Sequence, residues 1–125
     1  MARILTTGVG LALVLTVALT PARAQEKGQT EKQKIEALIK HVEGLDGAKF
    51  VRNDKAYDAK SAARFLRGKW EADEAAIKTA KDFIDKAASV SSSSGKAYLI
   101  RLKDGKEVKS GEYLHAELKK LEKAP

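Results

Sequence analysis

Ala97-Tyr98-Leu99-Ile100-Arg101-Leu102-Lys103-Asp104-Gly105-Lys106-Glu107-Val108 is the stretch on which the fold turns. Tyr98, Ile100 and Leu102 fall on one side of an extended chain, so a strand over 97–102 hides three large side chains together. Asp104-Gly105 is a pair favoured in type I′ turns, whose two central residues need positive φ, and it sends the chain back through Val108. A shorter unit of the same kind lies upstream. Residues 48–52 read as a strand with Phe50 and Val51 on opposite faces, and Asn53-Asp54 is a two-residue turn signal leading to Ala56 and Tyr57.

Helical periods flank both hairpins. Thr30 with Gln33 has the spacing of a capping box, and Ile35, Leu38, Ile39 and Val42 follow at helical intervals up to Gly44. Asp58 caps a second helix, with Ala62, Phe65, Leu66 and Trp70 on its apolar face and Lys60, Arg64, Arg67 and Glu71 toward solvent. Thr79 and Asp82 start a third, whose stripe is Ala80, Phe83, Ile84, Ala87 and Ala88. It is expected to stop within the serines at 91–94, whose hydroxyls compete for backbone hydrogen bonds. Ser110 caps the last helix, with Leu114, Leu118 and Leu121 as its stripe. The order α-ββ-α-α-ββ-α predicts an α+β domain over 30–123, a small antiparallel sheet from two short hairpins covered by about four helices. The halves 30–76 and 77–123 share one pattern, which raises the idea of an αββα duplication.

The first 24 residues read as an address. Arg3 provides a basic start, residues 4–19 an apolar core, and Ala22-Arg23-Ala24 a signal-peptidase site, so cleavage is predicted after Ala24. Residues 25–29 read as a flexible leader. A retained membrane anchor is the competing reading, disfavoured by Thr6, Thr7, Gly8 and Gly10 within the segment. The expected product is soluble and periplasmic, without stable membrane insertion. Of its 101 residues, 39 are apolar, 22 are Lys or Arg and 17 are Asp or Glu, a net charge of +5 against +7 for the whole chain. That suffices for one small domain and is too short for a two-domain enzyme. With no cysteine, the chain has no disulfide, thiolate nucleophile or Cys-based metal site. The two signs of charge are interleaved along every helix, and seven aromatic residues make no stacking platform, so nucleic acid is not an expected partner.

Phe50-Val51-Arg52-Asn53, Tyr57, Leu66, Lys69, Thr79-Ala80, Phe83-Ile84, the run Ser91-Ser92-Ser93-Ser94-Gly95-Lys96-Ala97-Tyr98 and Leu114-His115 resemble the YfeK-like family of small bacterial proteins with signal peptides, a domain of unknown function. The resemblance spans nearly all of the mature chain and implies a periplasmic address and no particular activity. Asp54 stands where the family usually has Gly, and Phe65 where it usually has His. Some relatives have Cys at the positions of Ala48 and Leu102, which implies a dispensable strand-to-strand disulfide there.

Residues 91–96 are the most suggestive chemistry in the chain. A phosphate loop is excluded, because Val90 replaces the first glycine and Ala97 replaces the Ser or Thr after the lysine. Ser93 and Lys96 have the spacing of an acyl-enzyme pair, but the other motifs of that chemistry are absent. As structure, the serines tie off a helix end, Gly95 takes positive φ and Lys96 faces the negative end of a helix dipole. As a site, backbone amides around Gly95, with hydroxyls and Lys96, make a nest for a carboxylate or phosphate, with Arg52 on a neighbouring strand. The candidate ligand-binding residues are therefore Arg52, Ser91, Ser92, Ser94, Gly95, Lys96 and Tyr98, with an anionic ligand or an envelope protein as partner. No catalytic residue, metal ligand or cofactor is expected. His41 and His115 read as solvated or partly packed, although Glu112 and His115 stand at i, i+3. Two further readings remain open: a small envelope hydrolase using a serine of 91–94, and a structural protein self-associating through a hairpin edge.

Overall fold

The computed structural model describes residues 29–123. The expected signal peptide, and all of the expected leader but Gln29, lie outside them. The helices are α1 (Glu31–Glu43), α2 (Ala59–Ala72), α3 (Ala80–Ala87) and α4 (Ser110–Lys123), and the strands are β1 (Lys49–Arg52), β2 (Lys55–Asp58), β3 (Leu99–Arg101) and β4 (Glu107–Lys109). Their order is the one the sequence predicts. The strands form one antiparallel sheet in the order β2-β1-β3-β4, with Phe50 opposite Tyr57 on one side and Ile100 on the other. Each half thus contributes its first strand to the centre and its second to an edge, an arrangement compatible with duplication.

Strand alternation sorts the side chains. Phe50, Ile100 and Val108 face the helices and join Ile35, Leu38, Leu66, Phe83, Ile84 and Leu114 in one core. Val51 and Leu99, opposite each other, belong to the other face of the sheet. Capping boxes form as expected at Thr30/Gln33 and Thr79/Asp82, and Asp58 accepts from the Ser61 amide to start α2. Each such cap stabilises its helix by about 1 kcal/mol. Among the described residues no helix is long and apolar enough to cross a membrane.

Four local expectations are corrected. Helix α3 ends at Ala87, before the serine run, where the Ser89 hydroxyl bonds back to the Ile84 carbonyl (2.7 Å) and the Ser89 carbonyl accepts from Tyr98 (2.9 Å). The expected strand over 97–102 is confined to Leu99–Arg101, with a lone bridge between Val90 and Ala97. In the second hairpin only Gly105 has positive φ, so its turn is not type I′. Leu102 bonds to both Gly105 and Lys106, making Lys103-Asp104-Gly105 a three-residue loop with glycine in its last place. Ser110 is the first residue of α4 and not its cap; its amide donates to Tyr98, and its buried hydroxyl has no partner among the described residues.

Candidate functional site

Residues 91–96 close on themselves before they offer anything to a ligand. The Ser91 amide donates to Lys96 (2.9 Å), the Gly95 amide to Ser91 (2.8 Å) and the Lys96 amide to the Ser94 hydroxyl (3.2 Å). Gly95, at φ 76°, makes the reversal without steric conflict. The loop is then fastened to the β1–β2 turn. The Asn53 amide nitrogen donates to Ser91 Oγ (3.3 Å), Ser94 Oγ donates to Asn53 Oδ1 (2.5 Å), and Lys96 Nζ meets Asp54 Oδ2 (2.7 Å). Ser91 is buried; Ser92, Ser93, Ser94, Gly95 and Lys96 are exposed. The Lys96–Asp54 pair is well solvated and contributes well under 1 kcal/mol. Three amides of the expected nest thus have acceptors within the chain.

Arg52 turns the other way. It shares the helix-facing side of β1 with Phe50, and its guanidinium lies over the Phe65 ring, 4.3 Å from the centroid. Phe50, Phe65 and Tyr98 pack on one another with centroid separations of 5.4 to 6.4 Å. Lys69 caps this trio from another position, with Nζ 5.6 Å from the Phe65 centroid, 5.3 Å from that of Tyr98 and 3.2 Å from the Tyr98 hydroxyl. Tyr98 is therefore a buried member of the aromatic cluster, joined to Arg52 through Phe65.

An open cleft of about 410 Å³ lies between the β1–β2 hairpin and the start of α2. Phe50, Phe65 and Tyr57 give it aromatic walls, Arg52 and Arg64 give it positive charge, and Ser61 contributes a hydroxyl. Its volume falls within the usual range of small-molecule pockets, about 300–1,000 Å³. Among the described residues neither arginine is ion-paired. Arg52 Nε is buried, with no hydrogen-bond partner among the described residues. Asp58, the nearest acid in sequence to Ser61, is engaged: the Ser61 amide (2.8 Å) and side chain hold its carboxyl below the usual range.

The predicted site residues thus fall into two groups. Ser91, Ser94 and Lys96 meet at the β1–β2 turn with Gly95 in the same loop, whereas Arg52 and Tyr98 belong to the aromatic cluster beside the cleft. Tyr57, Ser61, Arg64 and Phe65 were not among the expected site residues. The sequence assigned Arg64 to solvent and Phe65 to the core, but Phe65 is half-buried and lines the cleft. The i, i+4 spacing of Ser61 and Phe65, and the i, i+2 spacing of Phe50 and Arg52, were the available signals. His115 Nε2 meets Asp85 (2.8 Å), and His41 Nε2 meets the Tyr113 hydroxyl (2.7 Å). Among the described residues no three His, Cys, Asp or Glu side chains gather as a metal site would require.

A small α+β domain with an arginine-bearing aromatic cleft is the class that fold and site define. Residues 29–122 match the model of a family described as a family of unknown function, DUF5329, and the chain belongs to it. It is 38% identical over 88 residues to a protein of Salmonella typhimurium described as the uncharacterized protein YfeK, the match covering 70% of each chain. No solved structure matches it.

Proposed function

We propose that the chain is an exported, non-catalytic ligand-binding module of the bacterial cell envelope, with Arg52 at the centre of its site. The reading rests on one observation: a guanidinium that has no carboxylate partner among the described residues lies over an aromatic ring beside an open cleft. The signal-peptide pattern of residues 1–24, ending in Ala22-Arg23-Ala24, supports the address. Against a serine hydrolase stands the disposition of the hydroxyls: Ser91 and Ser94 bond to Asn53, and Lys96 is engaged by Asp54. A nucleophilic serine needs a neighbouring base and an oxyanion hole.

The test is native mass spectrometry of protein isolated from the periplasm of cells expressing the full chain. Wild type is expected to carry a small-molecule adduct that Arg52→Met, of similar stem and unchanged far-ultraviolet circular dichroism, lacks. Identical adduct profiles in the two proteins, or none in either, overturn the reading.

A further inference from the structure

We infer that the cleft takes a small amphipathic monocarboxylate, its carboxylate held by Arg52 with help from Arg64, and its apolar body laid against Phe65 and Tyr57. The inference rests on the binding-module reading and names the ligand class for that same site.

The charge balance of the cleft calls for an anion. Arg52 stands directly across the β1–β2 ladder from Lys55, and like charges at opposed positions repel. Arg64 adds a third cation from α2; Asp58 feels its charge, but among the described residues none of the three cations is ion-paired, so the cleft stays positive. A guanidinium presents a planar fork of N–H donors that fits a carboxylate at two points. Its face is already occupied by Phe65, which leaves the edge for the ligand and fixes the orientation of the fork. Nε is closed to solvent, so the terminal Nη edge is the one left to the ligand. Ser61 Oγ, 3.5 Å from the Arg64 guanidinium and engaged with the Asp58 carboxylate, helps to position Arg64 at the cleft.

The rest of the lining selects against a bare or highly charged anion. The half-buried Phe65 and Tyr57 rings line it above the buried Phe50 and Ala62, and their exposed area returns free energy only when covered by an apolar body. A polyphosphate would need a run of free amides or more cations, whereas three amides of the 91–96 loop are internally bonded and Lys96 is held by Asp54. A single negative charge on a ring or short acyl chain matches both halves of the site.

The full chain expressed for export and purified from the envelope fraction is titrated with 2-naphthoate, decanoate below its micellar concentration, 2-naphthylmethanol, inorganic phosphate, and phosphatidylglycerol vesicles. Binding is followed by amide ¹H–¹⁵N shifts. Both free carboxylates are expected to move the signals of Arg52, Ser61 and Phe65. Naphthylmethanol should bind at least about tenfold more weakly, since one charge-assisted hydrogen-bonded pair contributes about 1.5–3 kcal/mol and 1.4 kcal/mol is a factor of ten. Arg52→Met should weaken 2-naphthoate binding at least about tenfold and Arg64→Met a few-fold, with Lys96→Met unchanged. Ser61→Phe, which keeps every cation but fills the cleft, should block binding, so the test does not depend on the folding of one variant.

Equal binding of the alcohol, or shifts with phosphate alone, overturns the ligand class. So does Arg52-dependent binding to vesicles without binding of the free carboxylates, which assigns the site to a lipid headgroup. If the probes fail while the periplasmic protein retains an Arg52-dependent adduct, the ligand class falls and the binding-module reading stands. If both fail, the module reading falls with it.

Discussion

The two hairpins occupy matching places in the chain, each following a helix and each passing its return strand directly into the next helix, yet they turn by different means. Asn53 and Asp54 both adopt positive φ, 51° and 67°, the demanding geometry of a two-residue I′ turn. The Lys103-Asp104-Gly105 loop puts only its glycine there. The first turn is held from outside, by Ser91, Ser94 and Lys96. The second is held from within, by the Leu102 carbonyl on Gly105 and the Asp104 carboxylate on the Lys106 amide (2.9 Å). Asn and Asp tolerate positive φ better than other L-residues but less well than glycine, and the turn gains further support from the tertiary structure. Here that support comes from the loop with the strongest sequence signature. The serine run thereby helps to anchor the hairpin that carries Arg52.

The difference can be tested by perturbing each turn in order of expected effect. The largest comes from joining the hairpins. Continuing the β1–β3 ladder one step past Lys49 and Arg101 brings Ala48 opposite Leu102. Ala48→Cys with Leu102→Cys should therefore oxidise readily and raise stability by up to about 4 kcal/mol, the loop-closure value for some fifty residues. Denaturant melts with and without reductant measure it, and a failure to cross-link would contradict the inner-strand register. Asn53→Ala comes next. It removes both serine ties and leaves an unassisted L-residue at positive φ, for a loss of about 2–3 kcal/mol by urea denaturation.

Gly105→Ala in the self-contained turn should lose about 1–2 kcal/mol from backbone strain alone, because the space around its missing Cβ is open. Equal losses at Asn53 and Gly105 would mean that the serine ties contribute nothing. Asp54→Gly removes only a solvated ion pair while relieving positive φ, so a net gain of a few tenths of a kcal/mol is expected, read as a small rise in Tm.

Acid separates the two hairpin exits more gently. Asp58, where β2 enters α2, has its carboxyl held below its ordinary 3.8 by the Ser61 amide and side chain. A depressed folded pKa contributes stability that is complete above the unfolded value and is lost as pH falls through the folded one. Ser110, where β4 enters α4, does not titrate. Amide exchange at Ser61 should therefore quicken as pH falls below about 4, relative to Leu114 after correction for intrinsic rates. Parallel loss of protection at both residues would show that Asp58 plays no local part.

Much of the fold was legible because its signals are local. Thr30/Gln33 and Thr79/Asp82 announce helix starts through side chains that satisfy amides three residues away, and the stripes of α1 and α3 became the core as spaced. Turn type was less legible. Asp104-Gly105 carries the stronger I′ signal and does not form that turn, because closure between Leu102 and Lys106 leaves three residues in the loop. Asn53-Asp54 carries the weaker signal and does form it, because its compensating bonds come from residues some forty positions away. Phe65 illustrates the same limit. Helical spacing predicts that it faces inward, but not that the sheet edge stops short of covering it.

By itself, the sequence determined the element order, the helix caps, the apolar stripes and the family, each carried by residues adjacent or one helical turn apart. Only the tertiary structure decided that Arg52 leaves the serine loop and lies on Phe65 beside Arg64 and Ser61. Which side of a strand a residue occupies can be read from alternation. What stands opposite depends on register between elements distant in sequence, and packing of the whole core sets that register.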